Sequence, residues 1–124
     1  MSILNTKITA TVAEKQENLF TSQHILYKVV IKTDKGQYTT PYQCNARQTP
    51  DNRDILCCLY LDSTSADYND IWEFAREFGY TIDSKESYKH VESILKACKR
   101  TAKALERIFT SAELEELAEL AQEW

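Results

Sequence analysis

Apolar and polar residues alternate along residues 7–13, KITATVA, which is the period of an extended chain. Residues 14–23, EKQENLFTSQ, read as a polar loop interrupted by Leu19 and Phe20. Residues 24–33, HILYKVVIKT, are rich in β-branched side chains and set Ile25, Tyr27, Val29 and Ile31 on one face. DKGQ then supplies a tight turn, with Gly36 free to take a positive φ, and QYTTPYQC returns as a strand over residues 37–44. A β-hairpin over residues 25–44 is therefore predicted. Pro41 has no N–H to give to a ladder, so its strand belongs at a sheet edge.

The period changes after residue 45. Thr49 followed by Pro50 suits a helix start, and DNRDILCCLYLD sets Ile55, Cys58, Leu59 and Asp62 on one stripe with Leu56 and Tyr60 beside it. This predicts a helix over residues 50–62, although the run ILCCLYL also fits a buried strand. Asp67 as a cap, with Asp70 near the positive end, predicts a second helix over residues 67–78. Its inward face is read as Tyr68, Ile71, Trp72, Ala75 and Phe78, with Phe74 off that face. Gly79 stands where a left-handed cap ends such a helix. Asp83 with Glu86 resembles a capping box and opens a long helix over residues 84–108. There Tyr88, Val91, Leu95, Cys98, Ala102, Leu105 and Phe109 recur at alternating spacings of 3 and 4. Thr110 with Glu113 makes another box before a closing helix over residues 111–123, whose apolar positions are Leu114, Leu117, Leu120, Ala121 and Trp124.

Two features have competing readings. The long stripe fits a coiled-coil seam, or a helix laid on its own domain's core. Tyr88 and Phe109 at its ends are wide for a two-stranded seam and favour the second. WEFAREFGYTIDSKES, residues 72–87, is either a binding loop or the corner joining two helices, and Gly79 with its flanking aromatics favours the corner.

A chain of 124 residues is one domain by size. Only two glycines and two prolines argue against long linkers, and no run approaches the ~18 apolar residues of a membrane span. MSILNTKITA lacks a basic start before an apolar core, so a cytosolic chain and no membrane contact are expected. Cys44, Cys57, Cys58 and Cys98 are then expected as reduced core thiols. A zinc site from His24, Cys44 and Cys57 lacks ligand spacing, and neither a metal nor a cofactor is expected.

Charge redraws this picture. The net charge of −4 divides into −3 over residues 1–83, +4 over residues 84–109 and −5 over residues 110–124. The long helix carries Lys85, Lys89, His90, Lys96, Lys99, Arg100, Lys103 and Arg107 opposite its apolar stripe. That row suits phosphate contacts, while an acidic chain with a pI near 5.2 argues against broad nucleic-acid affinity. The tail SAELEELAELAQEW is an acidic surface, either docked beside the basic helix or presented to a partner's nucleic-acid channel.

Catalytic chemistry is thinly represented. His24 and His90 are the only histidines, and Cys98 lies about 80° round the helix from His90, on the apolar stripe. Asp51/Asp54 and Asp67/Asp70 suit helix starts better than acid–base work. No glycine-rich phosphate loop occurs, so no enzymatic activity is expected.

The order YKVVIKTDKGQYTTPY, then DILCCLYLD, then FAREFGYTIDSKESYKHVESILKACKR resembles small accessory proteins of phages and integrative mobile elements. The matching corner positions are Phe74, Phe78, Gly79, Tyr80, Asp83 and Ser84, within a likeness over residues 24–108. That resemblance implies a non-enzymatic protein that binds a host protein, such as an anti-CRISPR inhibitor of a CRISPR effector complex.

The expected fold is α+β, a small antiparallel sheet of an N-terminal strand plus a β-hairpin packed against three to four helices. The expected partner-binding residues are Asp62, Asp67, Asp70, Glu113, Glu115, Glu116, Glu119 and Glu123, in a monomer or homodimer. The alternative is a nucleic-acid-binding regulator using Lys89, Lys96, Lys99, Lys103 and Arg107.

Overall fold

The structure is a computed structural model that describes residues 2–16 and 23–124. Leu19 and Phe20 lie outside the described residues. Strands β1 (Lys7–Val12), β2 (His24–Thr33) and β3 (Gly36–Asn45) form one antiparallel sheet in the order β1-β2-β3. Its register sets Ile8 opposite Ile31, Val29 opposite Thr40, and Tyr27 opposite Tyr42. One face therefore collects Ile8, Ala10, Tyr27, Val29, Ile31, Tyr38 and Tyr42, and this face meets the helices. Lys28, Lys32, Thr39 and Pro41 alternate to the other side and are exposed. Pro41 is on the edge strand, where its missing N–H costs no ladder bond.

Four helices follow: α1 (Asn52–Thr64), α2 (Ile71–Phe78), α3 (Lys85–Ile108) and α4 (Ser111–Glu123). The fold is α+β, and ILCCLYL is helical. Three helix starts differ from the sequence reading, each because a neighbouring polar residue caps instead. Asp51, not Thr49, accepts from the Asp54 N–H at 2.8 Å and starts α1. Asp70, not Asp67, accepts from the Trp72 N–H at 2.9 Å, while Asp67 closes a 3-10 turn over Ser65–Asp67. The α3 box is Ser84 with Ser87 rather than Asp83 with Glu86; Asp83 accepts from the Ser87 hydroxyl at 3.2 Å. The Thr110–Glu113 box opens α4 as the spacing predicts.

Two apolar clusters share α3. The larger joins Val29 and Ile31 of the sheet, Ile55, Leu56 and Leu59 of α1, Leu105, Ile108 and Phe109, and Leu117 of α4. The smaller joins Phe74 and Ala75 of α2 to Val91 and Leu95. Toward its C-terminal half α3 buries a wider arc, Thr101, Ala104, Leu105 and Ile108, and Ala102 is only half-buried. The widening has a cause: Phe74 and Ala75 of α2 cover Val91 and Leu95 in the first half of α3, while the sheet, α1 and α4 surround Leu105 and Ile108 in the second. The apolar stripe is thus covered by the chain's own elements.

A polar clasp fixes the end of α3. The Thr33 hydroxyl donates to the Ile108 carbonyl at 2.6 Å, the Lys35 ammonium to Phe109 at 3.0 Å, and Arg107 Nη2 to Gln37 at 3.0 Å. Helix C-terminal carbonyls lack intrahelical partners, and the β2–β3 turn satisfies two of them with a hydroxyl and a cation. Gly36, at φ 152°, makes room: a Cβ there would come within 3.1 Å of Arg107 Nη1. The N-terminus is anchored by contacts that no local pattern announces. Ile3 is buried, its N–H donates to Glu116, and the Asn52 amide donates to the Leu4 and Thr6 carbonyls at 3.0 and 2.9 Å. Among the described residues no helix is long and apolar enough to cross a membrane.

Gly79 ends α2 at φ 75°, and the Tyr80 N–H returns to the Ala75 carbonyl at 2.8 Å. A Cβ at Gly79 would touch nothing within 4 Å, so a side chain there meets only backbone strain. Gly79→Val should therefore cost about 1–2 kcal/mol. Differential scanning calorimetry should record a fall in Tm of several degrees, whereas an unchanged Tm would show that the corner does not depend on this cap.

Candidate functional site

Helix α3 is long because its polar positions are good helix formers and its ends are capped. Lys89, Lys96 and Lys103 stand one heptad apart, with Lys99 and Arg100 beside them. At ~100° per residue this row centres roughly opposite the buried arc. The five cations line one open groove of about 510 Å³ with Glu92 and Ser93. Among the described residues one ion pair forms, Lys96 to Glu92 at 3.7 Å. The other four cations of the row are therefore not neutralised by a carboxylate within that range. Arg107 does not join them. Its guanidinium is turned onto Gln37 and Gly36, where it serves the clasp.

A second groove, of about 580 Å³, continues from the first through Lys89 and Glu92. Its walls are Trp72, Ile82 and Tyr88. The rings of Trp72 and Tyr88 have centroids 6.1 Å apart and planes tilted by 49°, so they splay rather than stack. The burial of α2 differs from the pattern its spacing predicts. Phe74, expected off the inward face, is the buried residue at 2% exposure; Trp72 and Phe78, expected inward, are 59% and 51% exposed. Ile71, Phe74 and Ala75 form the tighter i, i+3, i+4 set and take the core. Eight residues are two turns, too few for spacing alone to choose between two aromatic faces. The corner at Gly79 therefore closes the smaller core with Phe74 and leaves Trp72 in a groove with Lys85 and Lys89.

Neither a family model, a curated protein nor a solved structure matches this chain. The site is read from its own geometry.

The acidic candidates are divided among different tasks. Asp70 caps α2, Glu113 accepts from the Thr110 N–H at 2.8 Å, and Glu116 holds the Ile3 N–H. Asp67, Glu115, Glu119 and Glu123 are exposed. The glutamates ride on α4, which packs on α1, α3 and the N-terminal turn, whereas residues 65–67 pack on α1 and α3. Among the described residues no three His, Cys, Asp or Glu side chains converge as a metal site would require.

Asp62 stands apart. Although exposed as a residue, it lines a crevice of about 370 Å³ between the β3 edge, α1 and α3, with Thr40, Leu59, Ile94, Cys98 and Thr101. Desolvation there raises its carboxyl above the ordinary range. Cys98 shares the crevice, and burial, helped by Asp62, pushes its thiol up to about 11. A nucleophilic cysteine needs the opposite shift, and His90 is exposed on another side of α3. The Thr101 hydroxyl is satisfied by Tyr38 at 3.1 Å.

Because the folded state raises the Asp62 carboxyl, it favours the protonated acid. That preference is complete below the unfolded value of ~3.9 and is lost as pH rises through the folded value. Asp62→Asn should therefore raise Tm at pH 7, with the gain vanishing toward pH ~4. Solvent screening keeps the effect small. A pH series of thermal melts checks it; a lower Tm for the variant at pH 7 would show that the carboxylate is stabilised in the fold.

Proposed function

We propose that this protein is a non-enzymatic binding module that holds a nucleic-acid backbone against the cationic face of α3. The observation that carries this reading is the open row of Lys89, Lys96, Lys99, Arg100 and Lys103, with a single carboxylate in its groove. Phosphates bind such rows by displacing condensed counterions, which makes the affinity electrostatic and tolerant of sequence. The net charge of −4 does not oppose a local contact of this kind, since association responds to the potential of the face that docks. A phage or mobile-element setting, implied by the sequence resemblance, suits a small protein acting on nucleic acid or on a nucleoprotein complex.

A second reading keeps the host-protein partner, a CRISPR effector complex among the candidates, and the acidic surface. It has the exposed Glu115, Glu119 and Glu123 of α4 in its favour. Asp70, Glu113 and Glu116 support it less, because internal hydrogen bonds already engage them.

Fluorescence anisotropy with a labelled oligonucleotide distinguishes the two. Four or five phosphate contacts predict a log–log salt slope of about −3, a loss of about 60-fold between ~0.05 and ~0.2 M salt. Replacing Lys96 and Lys103 together by Glu should abolish binding at the higher salt. No oligonucleotide binding at low salt, with capture of a host nuclease through the α4 glutamates, would reverse the order of the readings.

A further inference from the structure

We infer that the groove walled by Trp72, Ile82 and Tyr88 receives an unpaired base, so the polynucleotide held along α3 is single-stranded. This rests on the cationic-face reading and specifies its ligand. Three observations lead to it. First, Trp72 is the most exposed aromatic among the described residues, at 59%, although buried Phe74 is only two positions away on the same short helix. Second, the tilt of 49° between Trp72 and Tyr88 leaves an indole face free instead of stacked on its neighbour. Third, the apolar groove and the cationic groove share Lys89 and Glu92, so one ligand can occupy both.

Together these are the parts of a single-strand site: a basic track for phosphates and an aromatic platform on which a base lies. From Lys89 to Lys103 the track is about 21 Å long at ~1.5 Å per residue, the length of about six stacked nucleotides at ~3.4 Å each. Two carboxylates rim the aromatic groove, and both are engaged. Glu92 faces Lys96 at 3.7 Å, and Asp83 accepts from the Ser87 hydroxyl. Lys85 and Lys89 line the same groove, so the phosphate path runs along these cations, with the base turned toward Trp72. A base in a duplex could reach the groove only by being unpaired and unstacked first, so a duplex would use the cations alone. An acidic polypeptide would also suit the cations, but its carboxylates gain nothing from an indole face.

The test uses the full chain with labelled oligo(dT) and oligo(U) of about ten nucleotides, a DNA duplex of equal length, and polyglutamate as competitor. Trp72→Ala should weaken oligo binding about 5- to 150-fold while leaving the salt slope unchanged, because stacking releases no counterions. Trp72→Phe should restore most of the loss. In a Trp124→Phe background, tryptophan emission should be quenched by either oligonucleotide and not by the duplex. Tighter binding of oligo(dT) or oligo(U) than of duplex supports the inference, and the preferred sugar identifies the source of the strand. Wild-type affinity in Trp72→Ala overturns the stacking site; if the Lys96/Lys103 double variant still loses binding, the cationic-face reading stands without it. Equal affinity for duplex overturns it as well. Displacement by polyglutamate with a Trp72-dependent emission change would assign the groove to an acidic protein. Absence of binding to every nucleic acid would remove both readings together.

Discussion

A 24-residue helix can bury only one side, and α3 commits that side to every other layer of the molecule. Its first half closes the small core over Phe74, and its second half closes the large core over Ile31, Leu56 and Leu117. The hairpin turn then fastens the C-terminal end, with Thr33 and Lys35 on the last carbonyls and Arg107 reaching back to Gln37. Hydrogen bonds of this kind contribute about 1 kcal/mol each, more when one partner is charged. They also tie the C-terminal end of α3 to the β2–β3 hairpin.

Charge segregation follows from that commitment. With the apolar arc turned inward, Glu92 is the one carboxylate among the described residues that lines the groove of the α3 lysines, while Asp70, Glu113 and Glu116 serve caps and the N-terminal anchor and Glu115, Glu119 and Glu123 are exposed on α4. The result is a molecule of net charge −4 whose longest helix presents a cationic track. The track is joined to an aromatic groove because Gly79 and Ser84 turn the chain sharply between α2 and α3, which brings Trp72 beside Tyr88.

Features determined within a few residues were legible in the sequence. The hairpin, the Gly79 cap, the Thr110–Glu113 box and the extent of α3 each depend on neighbours in the chain, and each is present. Where two residues of equal capping chemistry stand close together, the sequence offers no means of choosing, and Asp51, Asp70 and Ser84 took the places assigned to Thr49, Asp67 and Asp83. The candidate site was half legible for a related reason. Periodicity collected Lys89, Lys96, Lys99 and Lys103 correctly onto one face, but Arg107 belongs to a clasp that spans 70 positions of sequence. The burial of Ile3 by α4 and the outward turn of Trp72 are likewise decided by tertiary neighbours.

On the proposed reading, the uncovered face of α3, continued into the Trp72 groove, is where this protein meets its ligand. A two-dimensional amide NMR titration with single-stranded oligo(dT) reads that contact residue by residue. The expected result is a set of shifts concentrated on Trp72, Ile82 and residues 88–103, with the α4 amides unmoved. Shifts concentrated on Glu115, Glu119 and Glu123, or no shifts at all, would contradict it.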